Sequence, residues 1–179
     1  MTIILRVNTM VILFSNRKSA YEKEIIEILT ACNGNYISDK TVCSGKGKLT
    51  VISVYKHTDL NIKTGIAVLL DDGERFIKQT FPDGITGICD DTNETALKLF
   101  KQSGTPIISC GVNSRNTVTL SSMSDNTVFV TLQRALKDLR GNTIEPAEYK
   151  INTQKNYSPF SIAACVAILL IYGITPKAF

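Results

Sequence analysis

The chain has no tryptophan and a single histidine, His57. One imidazole in a polar stretch leaves no metal-ligand spacing to work with, and no cysteine stands beside it to form a Cys–His nucleophilic pair. The five cysteines (Cys32, Cys43, Cys89, Cys110, Cys165) are odd in number and contain no CxxC pair. Each sits in an apolar or strand-like context, so buried free thiols and a cytoplasmic location are expected. No run of Lys or Arg exceeds two, and a scattered net charge of +4 gives no nucleic-acid footprint. The apolar opening, MTIILRVNTMVILF, lacks a basic leader and a small-residue cleavage site, and a polar loop follows it, so it does not read as a signal peptide. No membrane span is expected either: the apolar stretch from Ile162 to Tyr172 is about 11 residues, against about 20 for a bilayer.

What is present is the pattern of a globular α/β chain. With 179 residues, 44% apolar and 20% charged, it can bury one sizeable core and is too short for two ordinary domains. Met10 offers a second start, which would leave Met1–Thr9 as an N-terminal extension to a single domain over residues 10–179. The opening unit is VILFSNRKSAYEKEIIEIL: a buried strand over Met10–Phe14, a polar loop over Ser15–Ser19, and an amphipathic helix from about Lys18 to Asn33. Tyr21, Ile25, Ile28 or Leu29, and Cys32 recur at helical spacing, with Glu22, Lys23, Glu24 and Glu27 opposite. Ser15 or Asn16 can cap the helix and Gly34 can end it.

Further along, Tyr36–Val42 and Leu49–Tyr55 read as strands. Between them, CSGKGKLT (residues 43–50) has the composition of a phosphate loop. Lys48 and Thr50 are not adjacent, however, and a strand follows where a helix N-terminus is needed, so it reads as a glycine-rich turn. Gly65–Leu70, Ile85–Cys89 and Ile107–Cys110 are buried-strand runs. A helix over Thr92–Ser103 is expected between the last two, with Asp91 and Glu94 as a variant capping box and Gly104 with Pro106 as its stop. This alternation predicts a mostly parallel sheet flanked by helices in three layers. After Gly111, short strands over Thr117–Ser122, Thr127–Leu132, Ala135–Leu139 and Ile144–Ile151 predict an antiparallel meander, with Pro146 confining the last to an edge or bulge. A closing helix over Ser158–Gly173 has Ser158 as cap and Pro159 at its first position. Phe81, Tyr157 and Phe179 are candidate contact-surface aromatics.

In this order the chain resembles the central, ATP-binding domain of the Mur ligase family, which includes folylpolyglutamate synthase. Four places carry the likeness. Phe14-Ser15-Asn16-Arg17-Lys18-Ser19 stands where the family has Gly-Thr-Asn-Gly-Lys-Thr. AVLLDD (Ala67–Asp72) is similar to the strand leading to the family's metal-binding stretch. Ile88-Cys89-Asp90-Asp91 with the following TNETALKLFKQSGTPIISCGV looks like its Asn-x-Asp-Asp segment, helix and next strand. SPFSIAACVAILLIYGI is similar to a helix that carries Asn-x-x-Asn, with Ser158 and Ser161 at the two Asn positions.

The departures bear on function. In the family loop, glycines let backbone N–H groups wrap phosphates while a lysine neutralises them; here Phe14 and Arg17 replace the glycines. No strand-end glutamate matches the family's magnesium ligand, no Asp-His-x-Asp follows Leu70, and no lysine stands in the carbamylation context. The resemblance therefore implies a stand-alone, degenerate Mur-ligase-like domain without ligase activity, serving as a scaffold or a partner for an unknown protein or a second copy of itself. No cofactor or metal is then expected. The alternative is a remnant anion site that holds ATP or phosphate weakly through Ser15, Asn16, Arg17, Lys18 and Ser19, with Asp90 or Asp91 near the same sheet edge. A further alternative is a subunit of an ATP-dependent amide ligase that another chain completes.

Overall fold

The computed structural model describes residues 9–70 and 74–179. The first eight residues of the expected extension, and the Asp71-Asp72 end of the AVLLDD likeness, lie outside the described residues. In chain order the strands are β1 (Met10–Phe14), β2 (Asn35–Ile37), β3 (Val42–Cys43), β4 (Thr50–Val54), β5 (Gly65–Leu69), β6 (Ile85–Asp90) and β7 (Ile107–Gly111). They continue as β8 (Val118–Ser124), β9 (Thr127–Leu132), β10 (Leu136–Lys137), β11 (Thr143–Ile144) and β12 (Ala147–Asn152). The helices are α1 (Ala20–Ala31), α2 (Glu94–Gln102) and α3 (Pro159–Ile171).

Ten strands form one sheet in the order β12-β9-β8-β7-β6-β5-β1-β4-β2-β3. Pairing is parallel from β2 through β8, and antiparallel where β3 joins β2 and along β8-β9-β12. The mostly parallel three-layer sheet with an antiparallel meander is thus the one read from the alternation of elements. Because side chains alternate across a strand, β1 feeds both faces. Val11 and Leu13 join a core with α1 and α3, while Ile12 and Phe14 join a second core with α2 and the turn at Glu74–Phe76. That explains the near-continuous apolar runs of β1 and β5: both faces are covered.

α3 is buried on every side from Phe160 to Ile171. It packs against α1, β6, β7 and β8, and its 13 residues span about 20 Å, well short of the roughly 30 Å of a bilayer core. No helix among the described residues is long and apolar enough to cross a membrane. Ser158 caps α3 with Pro159 at its start, as the sequence indicates.

Several local expectations are corrected. α1 is capped by Ser19, whose hydroxyl accepts from the Glu22 N–H, and not by Ser15 or Asn16. Its left-handed terminal residue is Asn33 (φ 64°), and Gly34 lies beyond it. Glu22, expected on the exposed face, is buried. Asn93 caps α2 by accepting from the Ala96 N–H, where Asp91 was expected. The Ala135–Leu139 segment leaves the meander: β10 pairs only with β11, in a separate two-stranded sheet, because the Leu139 N–H donates to the Ile171 carbonyl at the end of α3. Cys43 is exposed and Cys32 half-buried, so only Cys89, Cys110 and Cys165 are the buried thiols expected. Phe81, Tyr157 and Phe179 are all buried and offer no contact surface. β12, just after Pro146, is the edge strand anticipated from that proline.

Candidate functional site

The topology singles out one crevice before any side chain is considered. From β1 the chain turns to β2 and β4 on one side, then crosses to β5 on the other, so the order reverses between β1 and β5. In open α/β sheets ligands sit at the carboxyl ends of strands at such a point. Ser15–Ser19 leaves β1 there. Beside it, Leu69 and Asp90 end β5 and β6, and together with Tyr21, Phe160 and residues 92–95 they line a cavity of about 430 Å³. The Tyr21 and Phe160 rings meet edge to face with centroids 5.3 Å apart.

The structure brings the five expected residues together in one loop and gives most of their polar groups internal partners. Ser15 is fully buried; its N–H donates to the Val54 carbonyl, and its hydroxyl lies 2.7 Å from both the Asn16 carbonyl and Glu22 Oε2. Asn16 Oδ1 accepts the Lys18 N–H at 2.9 Å, and the Asn16 carbonyl accepts the Ser19 N–H at 3.0 Å. Arg17 pairs with Asp39, and its guanidinium lies 4.6 Å from the centroid of the Tyr55 ring. Ser19 is buried as the cap of α1. Lys18 is exposed. A side-chain oxygen, a carbonyl and a hydroxyl therefore accept N–H groups of the kind that wrap a phosphate in a nucleotide-binding loop.

Behind the loop lies a polar network. Glu22, in the first turn of α1, accepts from Ser15 through Oε2 and from Ser53 through Oε1, while Tyr36 Oη donates to Ser53 Oγ at 3.1 Å. A carboxylate in the first turn complements the positive end of the helix dipole from inside the protein. Burial, the Tyr36 hydrogen bond and the neighbouring Glu22 together push the Tyr55 hydroxyl up from its ordinary value. Sequence reasoning missed Glu22 because one of its two partners, Ser53 on β4, is 31 residues away, and the helical spacing of α1 places Glu22 opposite the apolar face.

The acidic side of the crevice is also largely committed. Asp90 Oδ1 accepts from the Thr92 N–H at 2.8 Å and from the Thr92 hydroxyl at 2.6 Å, and Asn93 caps α2. At the start of α3, Glu24 Oε2 accepts from both the N–H and the hydroxyl of Ser158, and Ser158 Oγ accepts the Ser161 N–H. Among the described residues no three His, Cys, Asp or Glu side chains gather closely enough to hold a metal ion. His57 is exposed, and Cys89, Cys110 and Cys165 are buried.

No known protein family and no curated protein matches the chain. Among solved structures it is similar to UDP-N-acetylmuramate:L-alanyl-gamma-D-glutamyl-meso-diaminopimelate ligase (MPL) from Neisseria meningitides, with a TM-score of 0.56 and 10% identity. The match covers 95% of this chain and 63% of that one. At that identity the likeness is one of fold, and the fold is Mur-ligase-like.

Proposed function

We propose that this chain is a Mur-ligase-like domain that performs no ligation and serves as a binding scaffold for another protein or a second copy of itself. One observation carries the reading: the loop that would wrap a phosphate wraps its own groups. The Lys18 N–H goes to the Asn16 side chain, the Ser19 N–H to the Asn16 carbonyl, and the Glu22 N–H to Ser19. Arg17 is drawn aside by Asp39 and Tyr55, and a buried carboxylate stands behind the loop. A phosphate entering here would have to displace these bonds and also accept a negative charge nearby. Each displaced bond costs about 0.5–1.5 kcal/mol that the ligand must recover.

The remnant-site alternative rests on Lys18, whose exposed ammonium could meet a phosphate oxygen at the loop mouth. Titration calorimetry with ATP and magnesium, ADP, and inorganic phosphate separates the two. The scaffold reading expects flat titrations at millimolar ligand. A Kd tighter than about 0.1 mM that Lys18→Gln weakens by about tenfold would replace it with the anion-binding reading. Light scattering on the purified chain then distinguishes a self-associating scaffold from one that needs a different partner.

A further inference from the structure

A cavity of about 830 Å³ lies at the opposite end of the strands. It opens where β1, β4 and β2 begin, at Thr9, Thr50 and Asn35, and is walled by the end of α3 and by the turn between β10 and β11. We propose that this cavity binds an amphipathic organic anion, with its carboxylate held by Lys48 and Arg140 and its apolar body against Leu139, Ile171 and Tyr172.

An inventory of the wall decides the sign of the ligand. The carbonyls that end α3 are already used: Ile168 accepts from Tyr172, Leu169 from Ile174, Leu170 from Gly173, and Ile171 from Leu139. The Asn35 amide donates to the Gly47 and Leu49 carbonyls, and its oxygen accepts the Gly45 N–H. Tyr172 Oη donates to the Thr9 carbonyl at 3.0 Å. Asp138 spends its carboxylate on its own turn, accepting from the N–H groups of Arg140 and Asn142 and from the Asn142 amide. The cationic groups on the wall are the Lys48 ammonium and the Arg140 guanidinium; neither makes a side-chain hydrogen bond or ion pair with a described residue, and Arg140 stands near enough to Asp138 to help hold that carboxyl below its ordinary value. A ligand that fits must therefore be an acceptor, and charge-assisted bonds to a carboxylate are the strong ones available. Leu139 supplies the second half: it is 45% exposed on this wall, and covering it from water favours a ligand with an apolar tail.

The site lies at the end of the strands away from Ser15–Ser19, so it stands or falls independently of the proposed scaffold role. The test is an amide-resolved NMR titration of the full chain with octanoate, and separately with inorganic phosphate. Octanoate is expected to give saturable shifts at Gly47, Leu139 and Gly173, weakened by added salt. The pair Lys48→Gln and Arg140→Gln, both on exposed side chains, should weaken it by about tenfold or more, while Lys98→Gln on α2 should leave it unchanged. Absence of saturable shifts at millimolar octanoate overturns the proposal. So does equal affinity in the double variant with an unchanged spectrum, or phosphate binding as tightly as octanoate, which would mean the apolar wall contributes nothing.

Discussion

Glu22 offers the sharpest test of how the first loop is held. The residue is 5% exposed, and its carboxylate accepts from Ser15 and Ser53. Replacing it with leucine does two opposed things. It removes the cost of burying a charge, which stabilises, and it leaves hydroxyls without an acceptor, which destabilises. Ser15 has a second acceptor, the Asn16 carbonyl at 2.7 Å, and can turn its proton there. Ser53 is 8% exposed and loses its charged acceptor, which leaves the neutral Tyr55 hydroxyl as the neighbouring partner and costs about 1–3 kcal/mol. The single variant is therefore a poor readout, and the informative quantity is the coupling in a double-mutant cycle of Glu22→Leu with Ser53→Ala. Tyr36 loses its acceptor wherever Ser53 is replaced, in both arms, so that cost cancels. The expected coupling is about 1.5–3 kcal/mol, the range for a hydrogen bond to a charged group. Urea unfolding followed by far-ultraviolet circular dichroism measures it; tryptophan fluorescence is not an option in this chain. A coupling below about 0.5 kcal/mol would show that Glu22 and Ser53 do not hold each other, and the account of the loop's foundation would be wrong.

Gly87 of β6 lies under Phe100 of α2, and a Cβ built there comes within 2.8 Å of three ring atoms; Gly87→Ala should cost about 1–3 kcal/mol by urea unfolding, and a neutral result would mean the ring is not seated there. Ellman's reagent should find one fast thiol, Cys43, a slower Cys32, and no reaction at Cys89, Cys110 or Cys165 until the chain unfolds; Cys43→Ser should abolish the fast phase, and persistence of that phase would contradict the burial pattern. Burial, with Asp90 and Asp91 adding to it, pushes the Cys89 thiol up to about 12 from 9.0. Below the unfolded value the thiol is protonated in both states and its contribution is whole. As pH rises from there toward the folded value the unfolded chain alone sheds the proton, and stability falls by about 1.4 kcal/mol per pH unit. Between neutral pH and roughly pH 10 the wild-type chain should thus lose about 1 kcal/mol more than Cys89→Ala, and parallel losses would refute the assignment.

The long elements were legible because burial on a sheet imposes a period that the sequence must carry. The runs that became β1, β5, β6 and β7, and the spacing of Ile25, Ile28 and Leu29 in α1, all follow from facing a core. The misses occur where partners are distant or signals compete. Asp91 and Asn93 are both plausible caps for α2, and the one that wins is set by where β6 delivers the chain. Phe81 stands in a polar stretch, yet it is drawn in by rings far away in sequence, with centroids 5.6 Å from Phe14 and 5.1 Å from Phe100. Ala135–Leu139 has the alternation of a sheet strand, and one backbone bond to the end of α3 takes it elsewhere. At the site, the loop's position was readable from strand, loop and helix order, whereas its chemistry depended on Glu22, Ser53 and Asp39, none of which lies in the motif.

Phe14 ties the start of the loop to the core, which is what the proposed scaffold reading requires. In the resemblance drawn from the sequence it stands against the first glycine of the family loop, where a nucleotide-binding loop needs small size and backbone freedom. Here it is the last residue of β1, fully buried, and edge-on to two rings, Phe76 at 5.2 Å and Phe81 at 5.6 Å. Burial of such a ring contributes about 1.5–3 kcal/mol, and each edge-to-face pair adds roughly 0.5–1.5 kcal/mol. The strand therefore continues one residue into what would be the loop, and the chain leaves the sheet only at Ser15, whose N–H is held by Val54 and whose hydroxyl is held from below. The remaining turn is short, and Asn16 folds its side chain back over the Lys18 N–H to close it. Packing at Phe14 and polar closure at Asn16 thus act in the same direction, and each makes the other's loss costlier: a loop anchored by a buried ring has little freedom to open, and a loop closed on itself keeps that ring dry.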